Sequence, residues 1–358
     1  MIQVLDSVDA AALAVFDDIV DVRSPSEFAE DHIPGAISLP VLTDAERARV
    51  GTIYVQDSAF KARRLGAALV ARNIALHLET ALADRPANWR PLVYCWRGGQ
   101  RSNAMATILG QVGWRTSVLN GGYRTYRRRV NARLYDQPCP LNLVLLDGRT
   151  GVGKTEVLAR AAERGAQTLD LEGLAEHRGS LFGALPGRPQ PHQKLFETRL
   201  LQALDDLDPA RPVLVEAESS KIGDCFIPPA LWSRMLIAPR IELSAPVAER
   251  ARYLVRAYAD IVADPAALDA VLTRLPRHLS KTEIEAWRAL AAAGEFETLA
   301  EALMIAHYDP AYRRSSGKDG RPRLAVLELT DLGPAGLDAA AAGVVELMGS
   351  AQDSARAP

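Results

Sequence analysis

The sequence predicts an α/β protein made of two domains. The chain has 358 residues, which is more than one compact domain usually holds. In both halves, short apolar runs typical of strands alternate with segments of helical periodicity. A Pro-Cys-Pro segment interrupts this pattern and marks a linker, because proline stops helices. We predict an α/β domain over 10–133, a linker over 134–140, a second domain over 141–350 and a flexible tail over 351–358.

The first domain contains three short predicted strands and one clear helix. The strands are Ile19–Arg23, Pro91–Cys95 and Ser117–Leu119, which are rich in β-branched or aliphatic residues. The helix is Arg101–Gln111, and a glycine follows shortly after its end. Cys95 therefore stands between the end of a strand and the start of a helix.

The second domain begins with Leu141–Asp147, a near-continuous apolar run typical of a strand buried in a parallel sheet. A helix is predicted over Glu156–Arg164. Further strands are predicted at Thr168–Leu171, Pro212–Glu216 and Ile241–Leu243. This alternation predicts a doubly wound parallel sheet.

The region 247–307 is mostly helical in pattern. Ser280 followed by Glu283 forms a capping box, in which each side chain bonds the other's backbone at the start of a helix. The second domain is therefore expected to carry a helical C-terminal extension.

Composition and charge narrow the class of protein. The formal net charge is -2, so no overall basic field indicates nucleic-acid binding. Cys95, Cys139 and Cys225 are far apart and form no Cys-x-x-Cys pair, which disfavours a disulfide framework or a structural zinc site. The N-terminal residues lack the pattern of a signal peptide. No apolar run approaches the ~20 residues that a membrane helix needs. We expect a cytoplasmic protein with no membrane partner.

The segment that begins at Cys95 reads Cys-Trp-Arg-Gly-Gly-Gln-Arg-Ser and is typical of a reactive-cysteine loop. Gly98 and Gly99 allow backbone N–H groups to turn inward and form an anion-binding nest. The following helix adds its positive end, and Arg97 and Arg101 add charge. All of these favour thiolate over thiol, so Cys95 is expected to be a good nucleophile. The other two cysteines lack such surroundings and are expected to be structural.

The segment Gly-Arg-Thr-Gly-Val-Gly-Lys-Thr follows a predicted strand and opens a helix, which is the context of a phosphate-binding loop. Backbone N–H groups near Gly148, Gly151 and Gly153 are expected to surround a phosphate. Lys154 would neutralise that phosphate, and the Thr155 hydroxyl suits a magnesium ligand.

An acidic residue at a neighbouring strand end would complete a nucleotidase. Glu216 is the best candidate, Glu218 the next and Asp170 a weaker one, although a purely structural carboxylate at 216 is equally compatible with the sequence. The chain thus indicates a diphosphate site more clearly than machinery for hydrolysis. The Gly/Pro-rich stretches 178–183 and 189–194 either line a site or form surface connections.

Three segments of the first domain resemble motifs of rhodanese domains. They are Asp21–Phe28, His32–Ala36 and Gly121–Tyr123. The resemblance covers roughly residues 10–130 and implies a cysteine that carries sulfur or selenium. The Cys-x5-Arg spacing also occurs in tyrosine and dual-specificity phosphatases, but those usually have His before the cysteine, where this chain has Tyr94.

The combination of both loops, together with Glu216–Gly223, resembles the tRNA 2-selenouridine synthase family over nearly the whole chain. The resemblance implies an enzyme acting on tRNA with 2-thiouridine at the wobble position. It implies that the sulfur is first alkylated with geranyl diphosphate and then replaced by selenium from selenophosphate.

The resemblance also implies roles for the two loops. Cys95 would carry selenium as a perselenide, with Arg97 and Arg101 steadying the anion. The loop from Gly148 to Thr155 would hold the allylic diphosphate. No tightly bound cofactor is expected; Thr155 is a candidate magnesium ligand, and a selenophosphate-supplying enzyme is a candidate partner.

A cluster of arginines follows the cysteine domain. We predict that it contacts tRNA phosphates, because arginine pairs well with phosphate oxygens. A solvated basic surface is the alternative. The residues are Arg124, Arg127, Arg128 and Arg129.

Two other functions remain open from sequence. One is a rhodanese sulfurtransferase coupled to a P-loop domain that hydrolyses ATP or GTP. The other is a nucleotide-gated tRNA-binding module in which Cys95 is only redox-sensitive.

Overall fold

The structure is a computed structural model that describes residues 2–180, 182–185, 187–273, 280–316 and 320–356. Side chains are described for these residues except 314–316 and 351–356.

The chain divides into two compact units. The first consists of Met1–Gln137 and His192–Gln202, and the second of Pro138–Pro191 and Ala203–Pro358. The division after Gln137 lies inside the predicted linker. The later segment of the first unit, however, was assigned by sequence to the second domain.

Side chains of that segment bond to residues of the first unit. Glu197 is 3% exposed. Glu197 accepts a 2.5 Å hydrogen bond from the Tyr135 hydroxyl and pairs with Arg127. Lys194 forms a 2.7 Å ion pair with Glu30.

The first unit alternates short strands and helices. Its described strands are β1 Gln3–Leu5, β2 Asp18–Asp21, β3 Ala36–Ser38, β4 Pro91–Tyr94 and β5 Ser117–Leu119. Its helices before the boundary are α1 Ala10–Leu13, α2 Pro25–Glu30, α3 Asp44–Gln56, α4 Ala59–Glu79, α5 Gln100–Val112 and α6 Tyr123–Asn131, which continues as a π-helical turn over Ala132–Asp136.

These strands form one parallel sheet in the order β1-β5-β4-β2-β3. The three predicted strands and the predicted helix α5 are confirmed to within two residues. The central strand β4 is buried along its whole length, and its core includes Val93, Met105 and Leu109. Cys95 follows β4 directly, at the carboxyl edge of the sheet.

The second unit is larger and has a longer helical part. Its described strands are β6 Asn142–Gly148, β7 Gln167–Leu169, β8 Pro212–Glu216, β9 Lys221–Ile222, β10 Cys225–Phe226, β11 Arg240–Ser244 and β12 Arg323–Glu328. Its helices are α7 Lys154–Glu163, α8 Leu171–Leu174, α9 Gln193–Asp205 (which crosses the boundary between the units), α10 Pro229–Met235, α11 Val247–Ala257, α12 Ala259–Val262, α13 Pro265–Thr273, α14 Lys281–Ala293, α15 Phe296–Leu303, a π-helical turn Met304–Tyr308, α16 Asp309–Ser316 and α17 Pro334–Arg356.

Five of these strands form a parallel sheet in the order β12-β11-β6-β8-β7, and β9 pairs with β10 as a short antiparallel hairpin. The predicted doubly wound sheet is confirmed. The apolar strand β6 lies at its centre, between β11 and β8. The phosphate loop therefore leaves the carboxyl edge of the central strand.

The helical extension has its own small core around Trp287 and Leu303. The predicted capping box is confirmed, since Ser280 accepts from the Glu283 backbone and Glu283 from the Ser280 backbone. The last helix continues through Arg356, so most of the predicted tail 351–358 is helical; residues 357–358 lie outside the described part. None of the described helices has the length and apolar character needed to cross a bilayer.

Candidate functional site

The Cys95 sulfur lies inside a loop of hydrogen-bond donors. Cys95 is 3% exposed and is a free cysteine. The Gly99 backbone N–H donates to its Sγ at 3.3 Å, and the Ser102 hydroxyl lies 3.3 Å from the same atom. That hydroxyl also reaches the Gly99 carbonyl at 3.1 Å, so its single proton has two acceptors within range. An anion on the sulfur is therefore met by nearby donors.

Two glycines allow this loop to pack against the turn that follows β5. Gly98 has φ +64, and a Cβ there would lie 2.7 Å from the Leu119 carbonyl oxygen. Gly122 has φ +58, and a Cβ there would lie 2.1 Å from the Cys95 carbonyl oxygen. Any side chain at either position would push the two backbones apart. The Tyr123 N–H completes the contact by donating to the Cys95 carbonyl at 2.8 Å.

The pKa of Cys95 is lowered from its ordinary value. Burial alone would raise this pKa, because it disfavours the charged thiolate. Hydrogen bonds from the Ser102 hydroxyl and from the backbone N–H groups of Ser102 and Arg97 outweigh burial, and the positive charge of Arg101 adds to them. Cys95 thus has the character of a nucleophilic cysteine.

The two predicted arginines differ in their surroundings. Both line the cavity that opens at Cys95. Arg97 is exposed, whereas Arg101 is half-buried and donates to the Glu27 carboxylate at 2.9 Å. Glu27 also forms an ion pair with Arg47 at 3.1 Å. Burial would raise the pKa of Glu27, but the hydrogen bond from Arg101 and the other bonds and charges around Glu27 together outweigh burial and lower this pKa. Part of the Arg101 charge therefore serves to hold Glu27.

His192 also lines this cavity. His192 belongs to the Gly/Pro-rich stretch 189–194, for which the sequence left both a site-lining role and a surface connection open. The segment from 192 to 202 belongs to the first unit, and this places His192 at the Cys95 cavity. Local sequence does not reveal which of the two domains the stretch serves.

A buried network explains the motifs that precede Cys95. Arg23 is 1% exposed and donates to Asp21 at 2.6 Å and to the Asp31 carbonyl at 2.6 Å. The Tyr94 hydroxyl donates to Asp21 at 2.7 Å, and the Tyr123 hydroxyl donates to Asp31 at 2.6 Å. Tyr94, the position where phosphatases carry histidine, is thus part of the support beneath the loop.

The predicted tRNA-binding arginines divide into two groups. Arg127 is 14% exposed at its side chain and pairs with Asp31 and Glu197, so its charge is engaged within the first unit, and its contact with tRNA stays a prediction. Arg129 lies 3.7 Å from Asp9. Arg124 and Arg128 are exposed and are the members of the cluster that remain suited to phosphate contacts.

The phosphate loop adopts the backbone conformation that its glycines permit. Gly148, Gly151 and Gly153 have φ +150, +84 and +78. A Cβ on Gly148 would lie 2.6 Å from the Leu243 carbonyl oxygen, and one on Gly153 would lie 2.7 Å from a Leu337 methyl group. Gly153 then begins α7, whose N-terminal N–H groups are free to bind an anion.

The polar side chains of this loop bond to the loop itself and to a neighbouring carboxylate. Lys154 Nζ donates to the Gly148 carbonyl at 3.3 Å, so the ammonium group curls back over the loop. The Thr155 hydroxyl donates to Glu172 Oε2 at 3.3 Å. Below the loop, Asp147 forms a 2.6 Å ion pair with Arg240 and accepts from the Gly148 N–H.

Three carboxylates converge beside Lys154 and Thr155. Ligand oxygens of Glu172, Glu216 and Glu218 all lie within 4.8 Å of one another. Glu216 ends β8, where it is fully buried, and neither of its carboxylate oxygens has a hydrogen-bond partner among the described residues.

Electrostatics in this cluster favours a bound cation. Burial raises the pKa of Glu172, and the charges of Glu216 and Glu218 raise it further. Burial also raises the pKa of Glu216, against the opposing effect of Lys154. Carboxylate and hydroxyl oxygens are the ligands that Mg²⁺ prefers. Glu216 with its unpartnered oxygens, Glu172, Glu218 and Thr155 therefore fit a magnesium ion.

The sequence found only part of this cluster. Glu216 and Glu218 were its leading candidates, but Glu172 was missed. Asp170, the weaker candidate, caps α8 by accepting from the Gly173 N–H at 2.8 Å. Because β7 lies next to β8, residues that follow β7 approach Glu216, and this strand order is the signal that would have indicated Glu172.

An apolar cavity opens beside the phosphate loop at Thr150. The predicted site-lining stretch 178–183 contributes Ser180 and Phe182. The hydroxyls of Ser180 and Tyr258 lie 3.0 Å apart and satisfy each other. The remaining lining is aliphatic or aromatic and comes from the helical extension: Leu254, Val255, Ile261, Val262, Leu268, Phe296, Leu299, Ala300, Leu303, Met304 and Tyr308.

The fold and the two loops define a class of protein. One parallel sheet carries a reactive-cysteine loop, and a second parallel sheet carries a phosphate loop. The family model of the rhodanese-like domain matches residues 4–129, and that of the tRNA 2-selenouridine synthase AAA domain matches residues 141–282. The chain is a rhodanese-like domain fused to a P-loop domain.

Curated relatives identify the family. The chain is 34% identical over 247 residues to the tRNA 2-selenouridine synthase of Psychromonas ingrahamii, covering 69% of this chain and 66% of that protein. It is 38% identical over 245 residues to that of Aeromonas salmonicida, covering 67% and 64%. It is 34% identical over 247 residues to that of Nitrosomonas europaea, covering 68% and 64%. The chain belongs to the tRNA 2-selenouridine synthase family, and these alignments span 64% to 66% of the relatives' own length.

Proposed function

We propose that this protein is a cytoplasmic tRNA-modifying transferase that converts wobble 2-thiouridine to 2-selenouridine. Its co-substrates are geranyl diphosphate and selenophosphate, and S-geranyl-2-thiouridine is the intermediate. An enzyme that makes selenophosphate supplies the selenium. The names of the curated relatives support the overall conversion.

The observation that carries the geranyl step is the apolar cavity beside Thr150. A nucleoside needs hydrogen-bonding partners for its base and ribose, and buried polar groups without partners are costly. A lining of aliphatic and aromatic side chains suits a hydrocarbon tail instead. The phosphate loop next to it suits the diphosphate of the same molecule.

In the first step, the 2-thiouridine sulfur attacks the allylic carbon of geranyl diphosphate. The new carbon–sulfur bond forms as the carbon–oxygen bond breaks, and diphosphate leaves. Lys154 and the N–H groups of the loop stabilise the leaving negative charge. Magnesium bound at Glu216, Glu172, Glu218 and Thr155 would supply further charge neutralisation.

In the second step, Cys95 carries selenium as a perselenide held by the donors of its loop. The selenium of selenophosphate attacks a mixed disulfide between Cys95 and a small thiol, the sulfur–sulfur bond breaks and the small thiol leaves, and hydrolysis of the phosphorus–selenium bond releases phosphate. Selenium then attacks the base at C2, the carbon–sulfur bond breaks and geranyl thiol leaves. The small thiol attacks the Cys95 sulfur of the sulfur–selenium bond, which frees the selenated base and restores the mixed disulfide. Alkylation precedes replacement because a thiocarbonyl sulfur is a poor leaving group, whereas an alkylated sulfur departs as a thiol. The wobble base must be unstacked to reach the loop.

Mass spectrometry of bulk tRNA tests the proposal. A strain that lacks this protein is expected to lose 2-selenouridine and S-geranyl-2-thiouridine and to retain 2-thiouridine. Expression of the protein from a plasmid is expected to restore both. Persistence of both modified bases in the deletion strain would rule the assignment out.

A second candidate is hydrolysis of a nucleoside triphosphate. It is favoured by the carboxylates of Glu216 and Glu218 beside Lys154, which could orient an attacking water. Thermal-shift titration separates the two functions. Geranyl diphosphate with Mg²⁺ is expected to raise the melting temperature more than ATP or GTP does, and the reverse order would favour the nucleotidase.

A further inference from the structure

A second apolar groove lies in the first unit, along the hairpin of α3 and α4. Most of its lining is apolar or glycine. The apolar and glycine residues are Leu42, Ala48, Val50, Gly51, Tyr54, Val55, Ala62, Gly66, Ala67, Val70 and Ala104. The groove is separate from the nucleophilic sulfur, since Cys95 is not among its lining residues.

The helix on one side of this groove has an uncovered apolar face. Among the residues of α3, all of which the structure describes, none is buried. Tyr54 is 54% exposed and Val55 is 83% exposed, and Phe60 at the start of α4 is 72% exposed. Clustered exposed apolar side chains of this kind mark binding surfaces.

The groove adjoins the cavity of the nucleophile. Arg47, Gln100 and Arg101 line both the groove and the cavity at Cys95. Arg63 adds another exposed cation at the groove. An apolar groove that is flanked by arginines and adjoins the cavity of a nucleophilic cysteine suits a hydrocarbon group attached to a polyanion.

We propose that this groove binds the hydrocarbon chain of the S-alkylated wobble base while the Cys95 perselenide acts on C2. The inference rests on the proposed function. The alkyl chain leaves from the very sulfur that selenium replaces, so it must lie beside the cysteine cavity during the reaction. Burial of the chain in the groove removes apolar surface from water and positions the leaving group.

Gly51 provides the variant that fills the groove. It lies within α3, lines the groove, and a Cβ added there meets no described atom within 4 Å. Gly51→Leu therefore occupies the groove without a clash at its Cβ, and leucine favours the helix over glycine. The matched control is Gly110→Leu, since Gly110 lies within α5, its Cβ also meets no described atom within 4 Å and it does not line the groove.

The test uses the full chain and two tRNA substrates. One carries S-geranyl-2-thiouridine and the other carries S-methyl-2-thiouridine, and selenation is followed with selenophosphate. The wild type is expected to have a KM for the geranyl substrate that is roughly tenfold lower, which is about 1.4 kcal/mol of binding. Gly51→Leu is expected to bring the ratio of the two KM values close to one, and Gly110→Leu to keep the wild-type ratio.

A charge in the groove gives an independent variant. Val55→Asp places a carboxylate on an exposed position of the same face and is expected to weaken binding of the geranyl substrate severalfold. An unchanged KM ratio in both Gly51→Leu and Val55→Asp would overturn the inference while leaving the proposed function intact. An equal loss in Gly51→Leu and Gly110→Leu would also overturn it.

Two further outcomes are distinguishable. If the wild type selenates neither alkylated tRNA, the proposed function itself fails and the groove has no such ligand. If the wild type forms a concentration-dependent dimer in sedimentation and Gly51→Leu abolishes that dimer, the groove binds a second copy of the chain and the inference is overturned.

Discussion

The Cys95 loop and the phosphate loop have the same architecture and different contents. Each leaves the carboxyl edge of the central strand of a five-stranded parallel sheet, turns through glycines with positive φ and enters a helix. In the first loop the backbone donors surround a side chain of the protein, the Cys95 sulfur. In the second, the glycine turn lies beside Lys154, Thr155 and three carboxylates.

This difference explains how one anion-binding geometry serves two chemistries. A loop that holds its own nucleophile stabilises an anion that stays covalently attached to the protein. A loop with a lysine and a neighbouring cluster of carboxylates suits an anion that arrives and leaves with a substrate. The following predictions test whether the two loops act in separate steps.

The largest expected effect is that of Cys95→Ser. Selenation should fall by about a thousandfold or more, because the nucleophile that carries selenium is lost. Geranylation should remain near the wild-type rate. Both rates are measured by mass spectrometry of digested tRNA, with Cys139→Ser as the control cysteine. Loss of geranylation in Cys95→Ser would show that the two loops are not separable.

Lys154→Ala tests the other loop. Geranylation should fall roughly a hundredfold, because the charge on the leaving diphosphate loses a stabilising cation. Selenation of tRNA that is already geranylated should be retained. Arg160→Ala removes another cation of α7, which pairs with Glu156 at 2.7 Å, and should leave both steps near wild type. A matching loss in both steps for Lys154→Ala would contradict the division of labour.

Glu216→Gln tests whether the carboxylates bind a metal. The variant should weaken Mn²⁺ binding by roughly 10- to 100-fold, as expected when a metal ligand is removed. Isothermal titration calorimetry or the electron paramagnetic resonance of bound Mn²⁺ measures this directly. Asp170→Asn is the control, since Asp170 caps α8. If the wild type and Glu216→Gln bind Mn²⁺ with equal affinity, Glu216 is not a metal ligand at the phosphate loop.

The sequence predicted the parts of the fold that have a strong periodic pattern. Strands β4, β6 and β8 are apolar runs of four or more residues, and their predicted bounds agree with the structure. Strands β1 and β3 were not predicted; they have three residues each, and the predicted strand β5 shows that so short a run is not always missed. The two-unit division was visible, but the return of the chain to the first unit at 192 involves long-range contacts of Glu197 with Tyr135 and Arg127.

In the candidate site too, local sequence identified residues within strong local patterns and missed those that depend on long-range contacts. Cys95 and Glu216 lie at the ends of predicted strands, and Lys154 lies in a glycine-rich motif between a predicted strand and a predicted helix, so local sequence identifies them. Glu172 becomes part of the cluster only through the order of neighbouring strands, which no single sequence reveals. Arg127 looks like any surface cation in sequence, because its partner Glu197 is 70 residues away.

Ser102→Ala tests the donors of the cysteine loop. The pKa of Cys95 is lowered from its ordinary value, so its thiolate persists to lower pH and is lost as the pH drops through this lowered pKa. Removal of the Ser102 hydroxyl should raise the pH at which half of the Cys95 thiol is ionised. It should therefore slow alkylation of Cys95 several-fold near pH 7. The rate of reaction with iodoacetamide against pH measures both. Asn103→Ala is the neighbouring control, since its side chain bonds the Gly98 and Gly99 carbonyls rather than the sulfur. If the titration midpoint of Cys95 is unchanged in Ser102→Ala, the lowered pKa of Cys95 is due to the backbone N–H groups and Arg101 instead.

The smallest effect is expected at the arginines that follow the cysteine loop. Arg124→Ala and Arg128→Ala should each weaken tRNA binding a few-fold and reduce its salt slope by about one, because each would remove one phosphate contact.

Arg127→Ala should instead destabilise the first unit, by roughly 3–5 kcal/mol, because it leaves Asp31 and Glu197 buried without their cation. Filter binding at several salt concentrations and thermal denaturation separate the two behaviours. Each phosphate contact releases counterions, so loss of a contact must lower the salt slope of binding. If the Arg124→Ala/Arg128→Ala double variant keeps the wild-type salt slope, these two arginines do not contact tRNA phosphates.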